Sequence, residues 1–245
     1  MDEFKYRQFE GEIIIQCVRW YCKYGISYRE LEEMMLERGI EVDHTTIYRW
    51  VQRYAPEIEK KMRWYLRGGI TGSWRIDETY IKVKGKWKYL YRAVDSKGRT
   101  IDFYLSHTRN AKAAHRFLSK CLSRIPIWAH PTTLNTDQNP TYPIAIAKLK
   151  EEKKLKKDVV HRKVKYLNNI VESDHGKLKR LIKPTLGFKS MKTGYATIKG
   201  FETFRMFRKH QFDEWCQFPE NLKDRLKGEI RLIDRQFDLC SSLNF

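Results

Sequence analysis

The stretch YLNNIVESDHGKLKR, from Tyr166 to Arg180, decides how the chain is read. It packs an acid cluster (Glu172, Asp174), a histidine (His175) and a basic cluster (Lys177, Lys179, Arg180) into a segment with helical periodicity. Ile170 and Leu178 lie eight residues apart and Val171 and His175 four, so apolar and acidic positions can share an inward face. Lys179 follows Glu172 by seven residues, two helical turns along the same side. A carboxylate and a cation stacked in this way suit one ligand class: the carboxylate holds a divalent metal, and the cation holds the phosphate that the metal activates. Taken alone, a helix of mixed charge is more often a solvated surface. The remainder of the chain shifts that balance.

The 245 residues carry 49 Lys and Arg against 30 Asp and Glu, a formal net charge of +19. Such a surface attracts polyanions, nucleic acid above all, through phosphate contacts and counterion release. Between Lys148 and Lys192 stand 15 basic residues against 5 acidic ones, the densest basic region of the chain. No apolar run approaches the roughly 18 residues of a membrane span, and MDEFKYRQFEGE is no signal peptide. A membrane partner is therefore not expected, and a cytoplasmic location is. Five scattered cysteines (Cys17, Cys22, Cys121, Cys216, Cys240) fit reduced thiols, and Cys17 and Cys22 lack the second pair a zinc site needs.

From Glu10 to Tyr24, Ile14, Cys17, Val18 and Tyr21 recur at helical spacing, and Gly25 ends the helix. Ser27 opens a capping box with Glu30, and Leu31, Met34 and Met35 face inward until Gly39. After the plausible N-cap Asp43 comes a third helix with Ile47, Trp50, Val51 and Tyr54 as its apolar stripe. Its other face offers Thr45, Thr46, Tyr48, Arg49, Gln52 and Arg53, residue types that contact phosphates and base edges together. The pair reads as a helix-turn-helix, with an ordinary trihelical packing unit as the alternative. Pro56 fits the first turn of a separate helix. Gly68, Gly69 and Gly72 mark a joint, so residues 1–70 form an all-α DNA-binding domain in this reading.

Beyond the joint the period changes. SWRIDETYIKVKGKWKYLYRAVDSKGRTIDFYLS reads as three antiparallel strands, with turns at Gly85-Lys86 and Ser96-Lys97-Gly98. Asp77 sits inside the first strand, where an acid is costly without a compensating charge or metal. A helix with Ala114, Phe117, Leu118 and Cys121 inward follows, then a short strand ending at Asp137, a helix, and a strand near Val159-Val160. Strand ends are where open α/β sheets place ligand groups. The run from Lys189 to His210 is a further helix with packed aromatics, closing a catalytic domain over residues 71–210. In the tail, residues 211–245, Leu222, Leu226, Ile230 and Ile233 align on a helix that must dock to be stable, on the catalytic domain or on a second subunit.

Three blocks in order, DETYIKVKGKWKYLYRAVDSKG with DFYLS, then TDQNP, then KYLNNIVESDHGKLKR, carry a resemblance. The chain resembles the DDE transposases, most closely the insertion-sequence family whose type elements are numbered six and twenty-six, from about Ser27 to Arg208. The resemblance implies a ribonuclease-H-like α/β domain, a mixed sheet flanked by helices, behind the helix-turn-helix. It implies Asp77, Asp137 and Glu172 as a metal-binding catalytic triad, with 35 positions from Asp137 to Glu172. Lys179 matches the family's basic residue seven after the glutamate, which contacts DNA near the cleaved end; Lys177 and Arg180 flank it. The implied activity is two-metal phosphoryl transfer with Mg²⁺, for which Mn²⁺ substitutes. Water frees a 3′-OH at the element's terminal inverted repeats, and that 3′-OH attacks target DNA. The implied setting is a bacterial or archaeal cytoplasm, with a homodimer or higher oligomer on double-stranded DNA. Two other readings remain, a non-enzymatic helix-turn-helix regulator and a ribonuclease-H-fold nuclease that cuts without joining. The segment IPIWAHPTTLN, with Trp128, departs from the family pattern, and the tail lies beyond it.

Overall fold

The structure, a computed structural model, describes residues 4, 8–66, 69–164, 169–216 and 221–239. It opens with helices α1 (Gly11–Tyr24), α2 (Tyr28–Leu36) and α3 (His44–Met62). Strands β1 (Ser73–Val83), β2 (Lys86–Asp95) and β3 (Thr100–Ser106) follow, then α4 (Ala111–Arg124), β4 (Thr133–Thr136), α5 (Thr141–Glu151) and β5 (Val160–Lys163). Helices α6 (Asn169–Ile182), α7 (Met191–Arg208), α8 (Asp213–Cys216) and α9 (Leu222–Arg235) complete the order. Two compact units result: Met1–Leu66 with Arg180–Thr185 and Lys192–Phe245, and Arg67–Lys179 with Leu186–Met191. No helix among the described residues is long and apolar enough to cross a membrane.

The first unit is helical. Gly25 leaves α1 in the left-handed region at φ 65°, and the Glu30 amide donates to Ser27 Oγ at 3.1 Å in the expected capping box. Asp43 Oδ1 accepts from the Thr45 amide at 2.7 Å and the Thr46 amide at 3.3 Å, fixing the start of α3. Contrary to the expectation of a new helix at Pro56, α3 runs unbroken to Met62. The reason is packing. Ile47, Val51, Tyr54, Ile58 and Met62 continue one buried stripe across the proline, and burying it outweighs the lost hydrogen bond.

Helix α7, expected within residues 71–210, packs within this helical unit. Gly200 makes the approach possible, since a Cβ there would stand 2.5 Å from Cys22 Sγ and 2.9 Å from Ala55 Cβ. The tail helix α9 packs within this unit too. Its buried positions are Glu229, Leu232, Ile233 and Asp234, while Leu222, expected inward, is 71% exposed. Lys23 Nζ donates to both Glu229 carboxylate oxygens at 2.8 and 2.6 Å, and Arg19 lies 3.6 Å away. Specific charge pairing thus sets the helix rotation, which an apolar-stripe argument could not foresee.

The second unit is built on a five-stranded mixed sheet in the order β3-β2-β1-β4-β5. The β3-β2-β1 part is antiparallel; β1-β4 and β4-β5 are parallel. The β1–β2 turn falls one residue earlier than expected, at Lys84 (φ 49°) and Gly85 (φ 71°), the two positive values of a type I′ hairpin. Side chains on β1 alternate. Trp74 and Ile76 join Tyr91, Phe117, Leu118, Tyr142, Ile146 and Leu149 in a core covered by α4 and α5. Asp77 points to the other face, where α6 buries Val171, Asp174, His175 and Leu178. Ile170, expected inward, is 38% exposed, because at 100° per residue it falls beside that face.

Candidate active site

The parallel pairing of β1 and β4 sets the first two acids side by side. Its last rung joins Arg75 to Asn135, so Asp77 and Asp137 each lie two positions farther along neighbouring strands. Asn135 locks that rung by donating from Nδ2 to the Trp74 carbonyl at 2.9 Å. Asp137 then leaves the strand in a tight turn, its Oδ1 accepting from the Asn139 amide at 3.1 Å. Burial above all, together with the charges of Glu78, Asp137 and Glu172, pushes the Asp77 carboxyl up to about 7. Burial likewise raises Asp137; Glu78 adds to the shift, while the Asn139 amide and Arg109 oppose it.

Helix α6 brings the third acid. Arg92, the cross-strand partner of Asp77, forms a buried ion pair with Asp174 of α6. At the next residue of the helix, His175 Nδ1 lies 3.7 Å from Asp77 Oδ2. Together these contacts hold α6 against the face of the sheet that carries Asp77. Glu172 stands exposed on α6, and Lys177, Lys179 and Arg180 are exposed beyond it. Asp174, read from sequence as part of an acid cluster, serves the fold through Arg92.

Sequence reasoning missed a second network on the opposite face of β1. Glu78, 8% exposed, accepts from Asn139 Nδ2 at 2.8 Å, from the Tyr142 hydroxyl and from Arg109 Nε. Arg109 also reaches Asp137, with Nη2 3.6 Å from Oδ2. Glu78 thereby ties the loop carrying Asp137 to β1, α5 and the segment before α4. The signal was in the text: an acid next to Asp77, at a position whose strand neighbours Trp74 and Ile76 face the core.

Asp77, Asp137 and Glu172 offer carboxylate oxygens, the hard ligands that Mg²⁺ and Mn²⁺ prefer. Burial raises Asp77 most and the neighbouring carboxylates add to it; a divalent cation would offset both, so the residues fit such an ion. Among the described residues, the group whose ligand atoms all lie within 4.8 Å of one another is Glu32, Asp43 and His44, and the triad is more open than that. In the helical unit, Thr45, Arg49 and Arg53 are exposed at successive four-residue steps of α3. Thr46 and Tyr48 are half-buried, the Tyr48 ring packing edge-on against Tyr28 at 5.6 Å.

Comparison with known proteins agrees with this geometry. Residues 71–211 match the DDE domain family of IS240-type transposases. The chain is 39% identical over 217 residues to the transposase for the insertion sequence-like element IS431mec of Staphylococcus aureus, covering 86% of this chain and 91% of that protein. The transposase of insertion sequence element IS257 in transposon Tn4003, also from Staphylococcus aureus, matches to the same extent. A solved structure of the HTLV-2 integrase catalytic core domain in complex with magnesium is 19% identical, with a TM-score of 0.43, over 56% of this chain and 87% of that one. With a DDE domain over more than half its length and such relatives across most of it, the chain belongs to the IS6 family of DDE transposases, enzymes that cleave and transfer DNA.

Proposed function

We propose that this transposase binds the terminal inverted repeats of its element, cleaves there to free 3′-OH ends, and joins those ends to target DNA. The reading is supported by Asp77 and Asp137 each standing two positions beyond the last β1–β4 rung, with Glu172 on α6, the helix packed over the face of the sheet that carries Asp77. In this reading the three carboxylates hold divalent metal, Mg²⁺ with Mn²⁺ as a substitute. When bound, the metal supplies charge stabilisation to the attacking and leaving oxygens of a phosphodiester. His175, 3.7 Å from Asp77, packs beside the first ligand. Lys179, with Lys177 and Arg180, holds DNA phosphates near the cleaved end, and their exposure supports that role. Thr45, Arg49 and Arg53 read the repeat, with Thr46 and Tyr48 positioning the helix. No Ser or Tyr nucleophile is required, because water and then the 3′-OH make the attacks. Two DNA ends are brought together, so at least two subunits act on the DNA.

Incubating the protein with element-end DNA, a target plasmid and Mg²⁺ tests this. Joined products support the reading. Cleavage without joining would mark a nuclease, and binding without either would mark a regulator.

A further inference from the structure

We propose that the β1–β2 hairpin is a binding surface for single-stranded DNA; this rests on the DNA-transfer reading above. Between Glu78 and Asp95 the chain holds Lys82, Lys84, Lys86, Lys88 and Arg92 and no acid. Cross-strand pairing puts Tyr80 opposite Tyr89 and Lys82 opposite Trp87, all on the face that carries Glu78. That face is core near Tyr91, but beyond the helices it opens to solvent. Tyr80 is 45% exposed and Trp87 61%, and Lys82, Lys84 and Lys86 are exposed. The Tyr80 and Tyr89 rings lie 5.2 Å apart, and Lys82 Nζ sits 5.6 Å over the Trp87 ring. At its inner end the row reaches Tyr80, near Arg109, whose guanidinium contacts Asp137.

The hairpin is braced for contact. The Lys84 amide donates to the Phe188 carbonyl at 2.8 Å and the Phe188 amide to the Lys82 carbonyl at 3.0 Å, adding a short parallel bridge at Val83. Apolar rings left exposed on a rigid, acid-free, lysine-lined ribbon match a polyanion that also presents flat apolar faces. A duplex hides its base faces in the stack. A single strand offers both its phosphates and its bases, which is the combination such platforms bind. A strand separated next to the cleaved end has that chemistry.

The test compares full-length wild type, Trp87→Ala and Trp87→Phe by fluorescence anisotropy. The probes are a labelled single-stranded oligonucleotide and its blunt duplex. Trp87→Ala is expected to lose about five- to hundredfold in single-strand affinity, the range for one stacked base, and to stay within about twofold on the duplex. Trp87→Phe should recover most of the loss. Equal losses on both probes, or none, would overturn the proposal, and because Trp87 is exposed an unchanged melting curve will exclude misfolding. Failure of the wild type to join ends strikes at the transposition reading instead. Normal joining with unchanged single-strand affinity in Trp87→Ala removes the hairpin proposal alone.

Discussion

Arg92 is 1% exposed and spends its charge on Asp174, reaching from the centre of the sheet to helix α6. Because Arg92 pairs in register with Asp77, this one buried ion pair aligns the helix that carries Glu172 with the strand that carries the first acid. Removing one member strands the other charge in the interior, typically at a cost of about 3–5 kcal/mol. Asp174→Ala is therefore expected to lower stability by that order in chemical denaturation. It should also weaken Mn²⁺ binding, because Glu172 loses its registration. Unchanged stability would mean that the pair is replaced by water at little cost.

Glu78 should behave as a positioning residue. Glu78→Gln keeps the shape but takes the carboxylate from Arg109, Asn139 and Tyr142. Asp137 then loses its brace, and joining should fall through weaker metal affinity more than through a lower rate at saturating metal. A metal titration of joining activity separates the two. A shift confined to the saturated rate would contradict the positioning role.

The Asp77 carboxyl carries a pH signature. Its value in the folded protein, about 7, is raised above that of an unfolded aspartate. Between these values the folded state binds more protons, so without metal this group's contribution to stability is lost as pH rises through about 7. Asp77→Asn removes the penalty and, in EDTA at pH 8, should stabilise the protein by about 1–3 kcal/mol, since one pKa unit is about 1.4 kcal/mol. Metal binding to the wild type below pH 7 should release a proton, visible as a dependence of calorimetric heat on buffer ionisation enthalpy. No gain in stability at pH 8 would place Asp77 in a wetter setting than the fold gives it.

Arg49 and Arg53 lie one turn apart on the exposed face of α3. Replacing either by Ala should weaken binding to element ends by about 1–3 kcal/mol if it contacts a base. Binding to random duplex should change less. Equal loss on both would identify a phosphate contact.

Much of this was legible because the signals were periodic or local. The capping box at Ser27, the alternation in β1 and the strand end at Asp137 each rest on a few adjacent residues. The proposed triad comes from its sequence blocks, and the parallel rung from Arg75 to Asn135 is what sets Asp77 and Asp137 abreast. What escaped depends on partners far apart in the chain. Glu78 meets Arg109 and Tyr142, Arg92 meets Asp174, and Glu229 meets Lys23, and no period announces such pairs. Pro56 misled because a local helix rule lost to a buried stripe continued on both sides of it. Residues 166–168, which begin the stretch from Tyr166 to Arg180, lie outside the described residues.

The most direct measurement is strand joining by Asp77→Ala, Asp137→Ala and Glu172→Ala in Mg²⁺, with binding to the same element-end DNA measured in parallel. Each variant is predicted to bind the ends within a few-fold of wild type while neither cleaving nor joining them. Near-normal joining by any one of the three would contradict its place as a metal ligand and, with it, the triad.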